Sequence, residues 1–182
     1  MNKEVLREKY KKLRKEVLDK KERDSLITRK VLLSEEYKKA NTIAIYVSKE
    51  DEVDTKELID SCLAAGKTVC VPITGPNQML FSIIKSSSEL TEEGIFKIGE
   101  PKLDVDRVVL KNEIDLFIVP VLAFDRNKNR IGYGKGYYDK YLKNERGYKI
   151  GIAYDIQMTS DIDTNENDIC MDEIITERRL VK

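Results

Sequence analysis

The chain has 182 residues, of which 41 % are apolar and 36 % charged, and Lys plus Arg equals Asp plus Glu at 33 each. This length suits one domain with a substantial core, so we expect residues 1–182 to form a single domain. The even charge balance argues against a dedicated nucleic-acid binder, which normally carries a strong basic excess. Because the sequence contains no histidine, Ser-His and Cys-His catalysis are excluded.

Cysteine usage and hydropathy indicate the compartment of the protein. Cys62, Cys70 and Cys170 are far apart, form no CxxC pair, and have no histidine to complete a zinc site. We expect three reduced cysteines, two of them buried, in a cytoplasmic protein. The sequence shows neither a signal peptide nor an apolar run of about 18 residues, so we expect no association with a membrane.

The first predicted elements are two helices that form an αα-hairpin packed on a sheet. The first has an apolar stripe at spacings of four, three and four, at Leu6, Tyr10, Leu13 and Val17. Asp19 and Glu22 have the spacing of a capping box, which predicts the start of the second helix. The apolar residues of that helix are Leu26, Ile27, Val31, Leu33 and Tyr37.

Two cations of the first helix share a face. Lys3 and Arg7 stand four residues apart, so their side chains project from the same side of the helix. They are candidates for binding an anion. The alternative is that they are two solvated cations among many, and the spacing alone does not decide between the two interpretations.

The sequence pattern of residues 42–72 predicts a βαβ unit with parallel strands. The strands are residues 42–47 and 67–72, and the helix between them is residues 53–65, with Asp54 and Glu57 as a second capping box. The loop from the first strand to the helix lies at the carboxyl edge of the sheet. It contains four acids, namely Glu50, Asp51, Glu52 and Asp54. Either all four only supply negative charge near the helix N-terminus, or one of them points into the crevice.

The apolar segments in the second half of the chain predict further strands. Residues 80–84 form a strand, and the polar segment 86–107 that follows is a candidate cover for the site. Residues 114–124 are almost unbroken apolar sequence, typical of a parallel strand buried on both faces. Residues 149–153 and 173–176 are the last predicted strands.

The glycine motif at residues 129–139, NRIGYGKGYYD, is the strongest functional signal. Glycine at alternate positions lets backbone N–H groups converge on an anion, and Arg130 and Lys135 add positive charge. The following helix, residues 136–143, would direct its N-terminus at the same anion. The spacing is neither that of Walker A nor that of a dinucleotide fingerprint, so it predicts a phosphate site without naming the ligand.

The alternative for the motif is a glycine-rich turn that only reverses the chain. A plain connection between a strand and a helix usually needs only ~2–6 residues and no cations. The carboxyl edge of an open α/β sheet is also where ligands bind, and the motif follows a predicted buried strand. We therefore prefer the phosphate site.

Four stretches, taken in order, resemble the 5-formyltetrahydrofolate cyclo-ligase family, also called 5,10-methenyltetrahydrofolate synthetases. They are KEVLR at residues 3–7, DEVDT at 51–55, the run from Pro120 through AFD at 123–125 into the glycine motif, and NENDICMDEIITE at 165–177. The resemblance spans the whole chain. It implies a three-layer α/β/α domain with a mainly parallel central sheet.

The resemblance also implies a reaction, the conversion of 5-formyltetrahydrofolate to 5,10-methenyltetrahydrofolate with ATP and Mg²⁺. ATP phosphorylates the formyl oxygen, N10 closes the ring, and ADP and phosphate are released. Such phosphoryl transfer depends on positioning and charge stabilisation, which cations, glycine N–H groups and a metal provide without histidine. The substrate would be a free folate, with or without a polyglutamate tail. We expect a monomer with no nucleic-acid partner.

Residue roles follow from the same resemblance. Arg130 and Lys135 would be catalytic, and Asp139 and Asp172 would bind magnesium. The implied ATP-binding residues are Lys3, Glu4, Val5, Leu6, Arg7, Arg130, Ile131, Gly132, Tyr133, Gly134, Lys135, Gly136, Tyr137 and Tyr138. The implied folate-binding residues are Glu52, Tyr133, Gly134, Lys135, Gly136 and Tyr137. Some members of the family have arginine at the position of Tyr133, so a charged substrate contact is replaced here by a hydroxyl or a ring face.

Two other functions compete with this one. A nucleotide-binding or sugar-phosphate-binding module on a similar scaffold would explain the glycine motif and Lys135, but not the other three stretches in order. An adaptor that binds partners through the charged N-terminal helices would leave the glycine motif without a use. One of Tyr137 and Tyr138 is expected to be a core aromatic, and the other to stack on or hydrogen-bond the pterin.

Overall fold

The computed structural model describes residues 2–76, 78–91, 94 and 98–182. The α-helices are α1 (Lys3–Lys15), α2 (Lys20–Leu33), α3 (Glu35–Lys39), α4 (Lys56–Ala64) and α5 (Tyr137–Leu142). The strands are β1 (Thr42–Ile45), β2 (Thr68–Thr74), β3 (Met79–Ile84), β4 (Leu116–Pro120), β5 (Ala123–Phe124), β6 (Arg130–Ile131), β7 (Tyr148–Ile152), β8 (Glu173–Ile175) and β9 (Leu180–Val181). No helix within the described ranges is long and apolar enough to cross a membrane.

A mainly parallel sheet organises the described chain, in the order β3-β2-β1-β4-β7-β8-β9. The strands β2, β1, β4, β7 and β8 are parallel, and the edge strands β3 and β9 are antiparallel to their neighbours. In the centre, Ile43 pairs with Val69 on one side and with Leu116 on the other. The predicted α/β class with a mainly parallel sheet is confirmed, and so is the βαβ unit.

The sheet has a hydrophobic core on each of its two faces, because successive side chains of a strand point to opposite faces. In β1, Ile43 and Ile45 join a cluster that contains residues of α2 and α4, whereas Ala44 joins a cluster on the opposite face that contains Tyr141 of α5. This alternation follows from the two-residue period of a strand. The sheet therefore has helices on both faces, which is the predicted three-layer arrangement. Cys62 and Cys70 are buried and Cys170 is exposed.

The two N-terminal helices are consecutive but contribute to different clusters. Leu6 and Tyr10 of α1 pack with Leu122 and with Ile131 of β6. The hydroxyl of Tyr10 also donates to the carbonyl oxygen of Met158, at 2.9 Å. In contrast, α2 inserts into the large cluster beneath β1 and β2. Helix α1 therefore packs against the start of the glycine motif and the strand that pairs with it.

Both predicted capping boxes are wrong. Asp19 precedes α2 with a positive φ of 53° and makes no capping hydrogen bond through its side chain. Thr55, not Asp54, is the N-cap of α4, and its hydroxyl donates instead to the carbonyl oxygen of Tyr46. Helix α2 also ends at Leu33, so Tyr37 belongs to the separate helix α3. Residue spacing suggests a cap, but the path of the preceding chain decides whether the side chain can reach it.

The predicted strand at residues 114–124 is two strands in different sheets. Strand β4 ends at Pro120, and β5 pairs antiparallel with β6 in a separate two-stranded sheet. The side chain of Gln157 donates to the carbonyl oxygens of Val121 and Leu122, at 2.8 and 2.9 Å, where the chain leaves the large sheet. Both strands are buried, so the apolar run continues through the break. The glycines of the motif consequently follow β6, which is part of the motif, and not the central strand.

Candidate functional site

A pocket of about 660 Å³ lies where the strand order reverses, beyond the carboxyl ends of β1 and β4. This is the usual ligand position in an open α/β sheet. Of the residues predicted for the site, those that line it are Lys3, Arg7, Glu52 and all of residues 130–139. Its other lining residues are Tyr46, Val47, Lys49, Pro72, Thr74, Met79, Ile98, Glu100, Pro120, Leu122, Lys140, Lys143, Asn165, Asn167 and Asp168.

The backbone of the glycine motif requires glycine at two positions. Gly134 and Gly136 have φ values of 92° and 69°, in the left-handed region that other residues rarely adopt. A Cβ atom at Gly134 would also lie 3.2 Å from the guanidinium carbon of Arg7. The Nε of Arg7 donates to the carbonyl oxygen of Gly132, at 3.1 Å. Helix α1 and the glycine motif therefore form one wall of the pocket together.

Only part of the KEVLR stretch reaches this wall. Lys3 and Arg7 line the pocket, and Lys3 pairs with the carboxylate of Asp168. The three residues between them do not: Glu4 and Val5 are exposed, and Leu6 is buried in the core. The predicted binding of ATP by Glu4, Val5 and Leu6 stays a prediction, and in this structure their side chains do not line the pocket.

Arg130 lies at the base of the pocket with acids beside it. Its Nη2 donates to Oδ1 of Asp139, at 2.8 Å. Burial lowers the pKa of the Arg130 guanidinium, while the negative charges of Asp139 and Asp168 act in the opposite direction. Asp168 also accepts from Lys3, and its contacts with Lys3, the Asn165 amide and Arg130 outweigh burial and hold its pKa below the usual value.

Two buried polar atoms at this position have no hydrogen-bond partner among the described residues, namely Nε of Arg130 and the hydroxyl of Tyr138. Buried polar groups of proteins are normally paired, so unpaired ones at a pocket indicate a place for a polar ligand. Lys135 lines the same region, and no ion pair joins it to the part of the chain that the structure describes. The arrangement suits an anion with several oxygen atoms.

The two acids predicted to bind magnesium lie in different surroundings. Asp139 lines the pocket, but Asp172 does not, since its carboxylate accepts from the backbone N–H of Lys149 in β7, at 2.8 Å. Asp168, four residues earlier, lines the pocket on the same side as Arg130. Asp139 and Asp168 therefore line the pocket together, and a metal-binding role for Asp172 stays a prediction. Within the described residues no group of three or more acids or cysteines is arranged to hold a metal ion.

The acidic loop after β1 sends one acid into the pocket. Glu52 is 5 % exposed and lines the pocket. Its Oε2 accepts from the backbone N–H of Lys49 and its Oε1 from the hydroxyl of Tyr133, both at 2.8 Å. The other acids point elsewhere: Glu50 is exposed, Asp51 accepts from Arg14, and Asp54 accepts from the backbone N–H of Lys56. The sequence left these alternatives open, and the structure decides between them.

The three tyrosines of the glycine motif have different environments. Tyr133 lies over Glu52, with Nζ of Lys49 4.3 Å from its ring centre. Tyr137 donates to the carbonyl oxygen of Gly75, at 3.0 Å, across the pocket. Tyr138 packs against both core clusters with its ring near Arg130. Burial, with the charge of Glu52, raises the pKa of Tyr138, so its hydroxyl stays protonated and can donate.

Several site residues were missed by sequence reasoning. Asp168 and two asparagines lie in the NEND run that had been singled out for resemblance but not for chemistry. Arg14 lies seven residues after Arg7 on the same helix, a spacing that could have marked a row of cations along one face. In the segment 86–107, Ile98 and Glu100 line the pocket. Residues 92, 93 and 95–97 lie outside the described residues, so the predicted cover over the site stays a prediction.

Comparisons with known proteins identify the family of this chain. The model of the 5-formyltetrahydrofolate cyclo-ligase family matches residues 1–177. The 5-formyltetrahydrofolate cyclo-ligase of Escherichia coli K12 is 37 % identical over 143 residues, covering 75 % of this chain and 78 % of the relative. The mouse protein of the same name is 32 % identical over 165 residues, covering 84 % and 81 %.

Solved structures show the same relationship. The 5,10-methenyltetrahydrofolate synthetase of Aquifex aeolicus superposes with a TM-score of 0.86 at 30 % identity, covering 99 % of this chain and 92 % of its own. The synthetase of Mycoplasma pneumoniae gives a TM-score of 0.77 at 25 % identity, covering 97 % and 99 %. The sequence matches and the superposed folds agree, and this chain belongs to the 5-formyltetrahydrofolate cyclo-ligase family.

Proposed function

We propose that this protein is a ligase that converts 5-formyltetrahydrofolate to 5,10-methenyltetrahydrofolate, using ATP and releasing ADP and phosphate. The observation that carries the proposal is one pocket that holds two unlike sites. The glycine motif with Arg130 and Lys135 suits a triphosphate, and the buried carboxylate of Glu52 suits the N–H groups of a pterin. Family membership supports the same reaction.

The chemistry requires both ligands in that one pocket. The formyl oxygen is a poor leaving group, so the γ-phosphoryl group is first transferred to it from ATP. N10 then attacks the formyl carbon and loses its proton, the carbon–oxygen bond breaks, and phosphate leaves. Arg130 and Lys135 stabilise the charge that develops on the phosphoryl oxygens, and glycine N–H groups hold these oxygens in place.

The folate is held at the other end of the pocket. A carboxylate accepts two N–H donors in a fork, so Glu52 can orient the pterin ring and direct the formyl group at the γ-phosphate. Tyr133, Tyr137 and the backbone of residues 134–136 border the same space. Tyr133 donates to Oε1 of Glu52, and this oxygen can accept a pterin N–H as well, because each carboxylate oxygen accepts two hydrogen bonds.

Magnesium fits the acids beside Arg130. Mg²⁺ prefers oxygen ligands and is often held by one or two carboxylates together with phosphate oxygens and water. Asp139 and Asp168 are the carboxylates that line the pocket next to the proposed triphosphate position. When bound, the ion would neutralise charge on the phosphates. We propose these two residues, and not Asp172, as the magnesium ligands.

The oligomeric state, the cellular location and the form of the folate substrate are also proposed from the sequence. We expect a single-domain monomer that acts in the cytoplasm on a free folate, with or without a polyglutamate tail. Neither a nucleic acid nor a membrane is needed for the proposed reaction.

Turnover tests the proposed function directly. The purified chain is mixed with 5-formyltetrahydrofolate and MgATP, and the methenyl chromophore and ADP are followed together. We expect one ADP for each methenyl product, and no product when ATP is omitted. Nucleotide binding without product formation would instead identify a binding module.

Removing the charge of Lys135 should weaken the use of ATP. The change Lys135→Ala should raise the KM for ATP by about tenfold or more, because charge-assisted contacts contribute roughly 1.5–3 kcal/mol each. Steady-state kinetics with varied ATP at saturating folate measures this. Lys56→Ala, an exposed change on α4, is the matched control. Unchanged kcat and unchanged KM for ATP would remove Lys135 from the site.

Removing either proposed magnesium ligand should raise the magnesium requirement. Asp139→Asn and Asp168→Asn should each increase the Mg²⁺ concentration for half-maximal activity, since each removes a carboxylate ligand. Asp172→Asn is the control and should leave that concentration unchanged. If Asp139 is only a first-turn helix acid, worth ~0.3–1 kcal/mol, Asp139→Asn will lower the melting temperature and leave the magnesium requirement as it was.

A further inference from the structure

Arg14, at the C-terminal end of α1, carries a cation that the proposed chemistry does not use. Its side chain is 1 % exposed and is not among the residues that line the pocket. We propose that Arg14 is a positioning residue for the folate: it fixes the carboxylate of Glu52 and the hydroxyl of Tyr133 relative to each other. The inference rests on the proposed function, in which Glu52 orients the pterin.

The guanidinium joins two loops that lie far apart in sequence. Its Nε and Nη2 donate to Oδ2 of Asp51, at 3.1 and 2.6 Å. The same Nη2 also donates to the hydroxyl of Tyr133, and Nη1 lies 3.9 Å from Oε1 of Glu52. Asp51 and Glu52 belong to the loop after β1, and Tyr133 belongs to the glycine motif. One side chain therefore sets the distance between the folate-side loop and the nucleotide-side loop.

The contact between Arg14 and Glu52 is attractive, because the two side chains carry opposite charges. Glu52 and Asp51 are adjacent acids, and Glu52 is buried, so their negative charges require a nearby cation. Burial alone would lower the pKa of Arg14, but Tyr133, Asp51 and Glu52 together raise it above the usual value. Arg14 therefore stays charged beneath the acidic pair and places its guanidinium 3.9 Å from the Oε1 atom of Glu52, which holds this side chain in position.

Hydrogen-bond chemistry fixes the direction of the Tyr133 hydroxyl. A guanidinium only donates, so the Tyr133 oxygen accepts from Arg14 and its single hydrogen is directed at Oε1 of Glu52, at 2.8 Å. If Arg14 served only the stability of the fold, its ion pair with Asp51 would be sufficient. The additional contact with a pocket residue, and through it with Glu52, is what makes Arg14 act on substrate binding.

Separate KM values for the two substrates test the proposal. Arg14→Gln should raise the KM for 5-formyltetrahydrofolate by about tenfold or more, with the KM for ATP and kcat within about twofold of wild type. Arg14→Lys keeps the charge but loses the planar fork, so it should give a smaller increase in the same KM. Asp51→Asn, which keeps an oxygen that accepts from Arg14, is the matched control and should leave both KM values nearly unchanged.

A double variant distinguishes positioning from a general loss of stability. If Arg14 acts through Tyr133, Arg14→Gln with Tyr133→Phe should raise the folate KM by less than the product of the two single increases. Equal increases in both KM values, a folate KM within about twofold of wild type, or multiplicative effects would overturn the proposal. If Arg14→Gln does not fold, Arg14→Lys is judged by the same criteria. An inactive wild type would overturn the proposed function instead.

Discussion

Replacing Glu52 with glutamine should raise the KM for 5-formyltetrahydrofolate by about tenfold or more, because hydrogen bonds to charged groups contribute roughly 1.5–3 kcal/mol. Glutamine has nearly the same size, but it replaces one acceptor oxygen with an NH₂ group that would face the N–H donors of the pterin. The same group would also face the backbone N–H of Lys49 or the hydroxyl of Tyr133, which now donate to Glu52. The KM for ATP should hardly change, because the nucleotide is proposed to bind at the glycine motif.

The neighbouring acids provide matched controls for this experiment. Glu50 is exposed, and Asp51 pairs with Arg14 without lining the pocket. Glu50→Gln and Asp51→Asn should therefore have little effect on the KM for the folate. Initial rates with varied 5-formyltetrahydrofolate at saturating MgATP compare the three variants directly. Equal and small effects would mean that the acidic loop carries only helix-end charge and that the folate is held elsewhere.

Replacing Arg130 with lysine should lower kcat/KM for ATP by on the order of a hundredfold, because two charge-assisted contacts of roughly 1.5–3 kcal/mol each are at risk. The arginine fork reaches Asp139 and still has Nε without a partner within the described chain. A lysine supplies one ammonium group and cannot contact both Asp139 and a phosphoryl oxygen in the same planar arrangement. The positive charge is conserved, so Asp139 keeps a nearby cation.

The measurement for Arg130→Lys combines kinetics with a thermal melt. Arg126→Lys, an exposed change in the β5–β6 turn, is the control and should resemble wild type in both. A variant with a lower melting temperature and unchanged kinetics would show that Arg130 only supports the fold. A loss of kcat/KM for ATP in a variant that melts near the wild-type temperature would support the proposed contact with the triphosphate.

The parallel sheet and the glycine motif were predictable because both depend on local sequence. A strand buried on both faces must be apolar throughout, which located β1, β4 and β7. Backbone with positive φ strongly favours glycine, which marked Gly134 and Gly136. The same logic failed at residues 114–124, because apolarity reports burial and not membership of one sheet. The side chain of Gln157, a residue distant in sequence, takes the backbone carbonyl oxygens at the break.

Local sequence thus determined the fold class, the parallel course of the central strands and the glycine positions of the loop, since periodicity and backbone conformation depend on near neighbours. Only the tertiary structure decided which acid of residues 50–54 enters the pocket, because Glu52 is oriented by Tyr133, 81 residues away. The position of Asp168 in the pocket and the buried position of Arg14 depend on the tertiary structure in the same way. The direction of a charged side chain depends on the partners that compensate its charge, and in this site those partners come from distant segments.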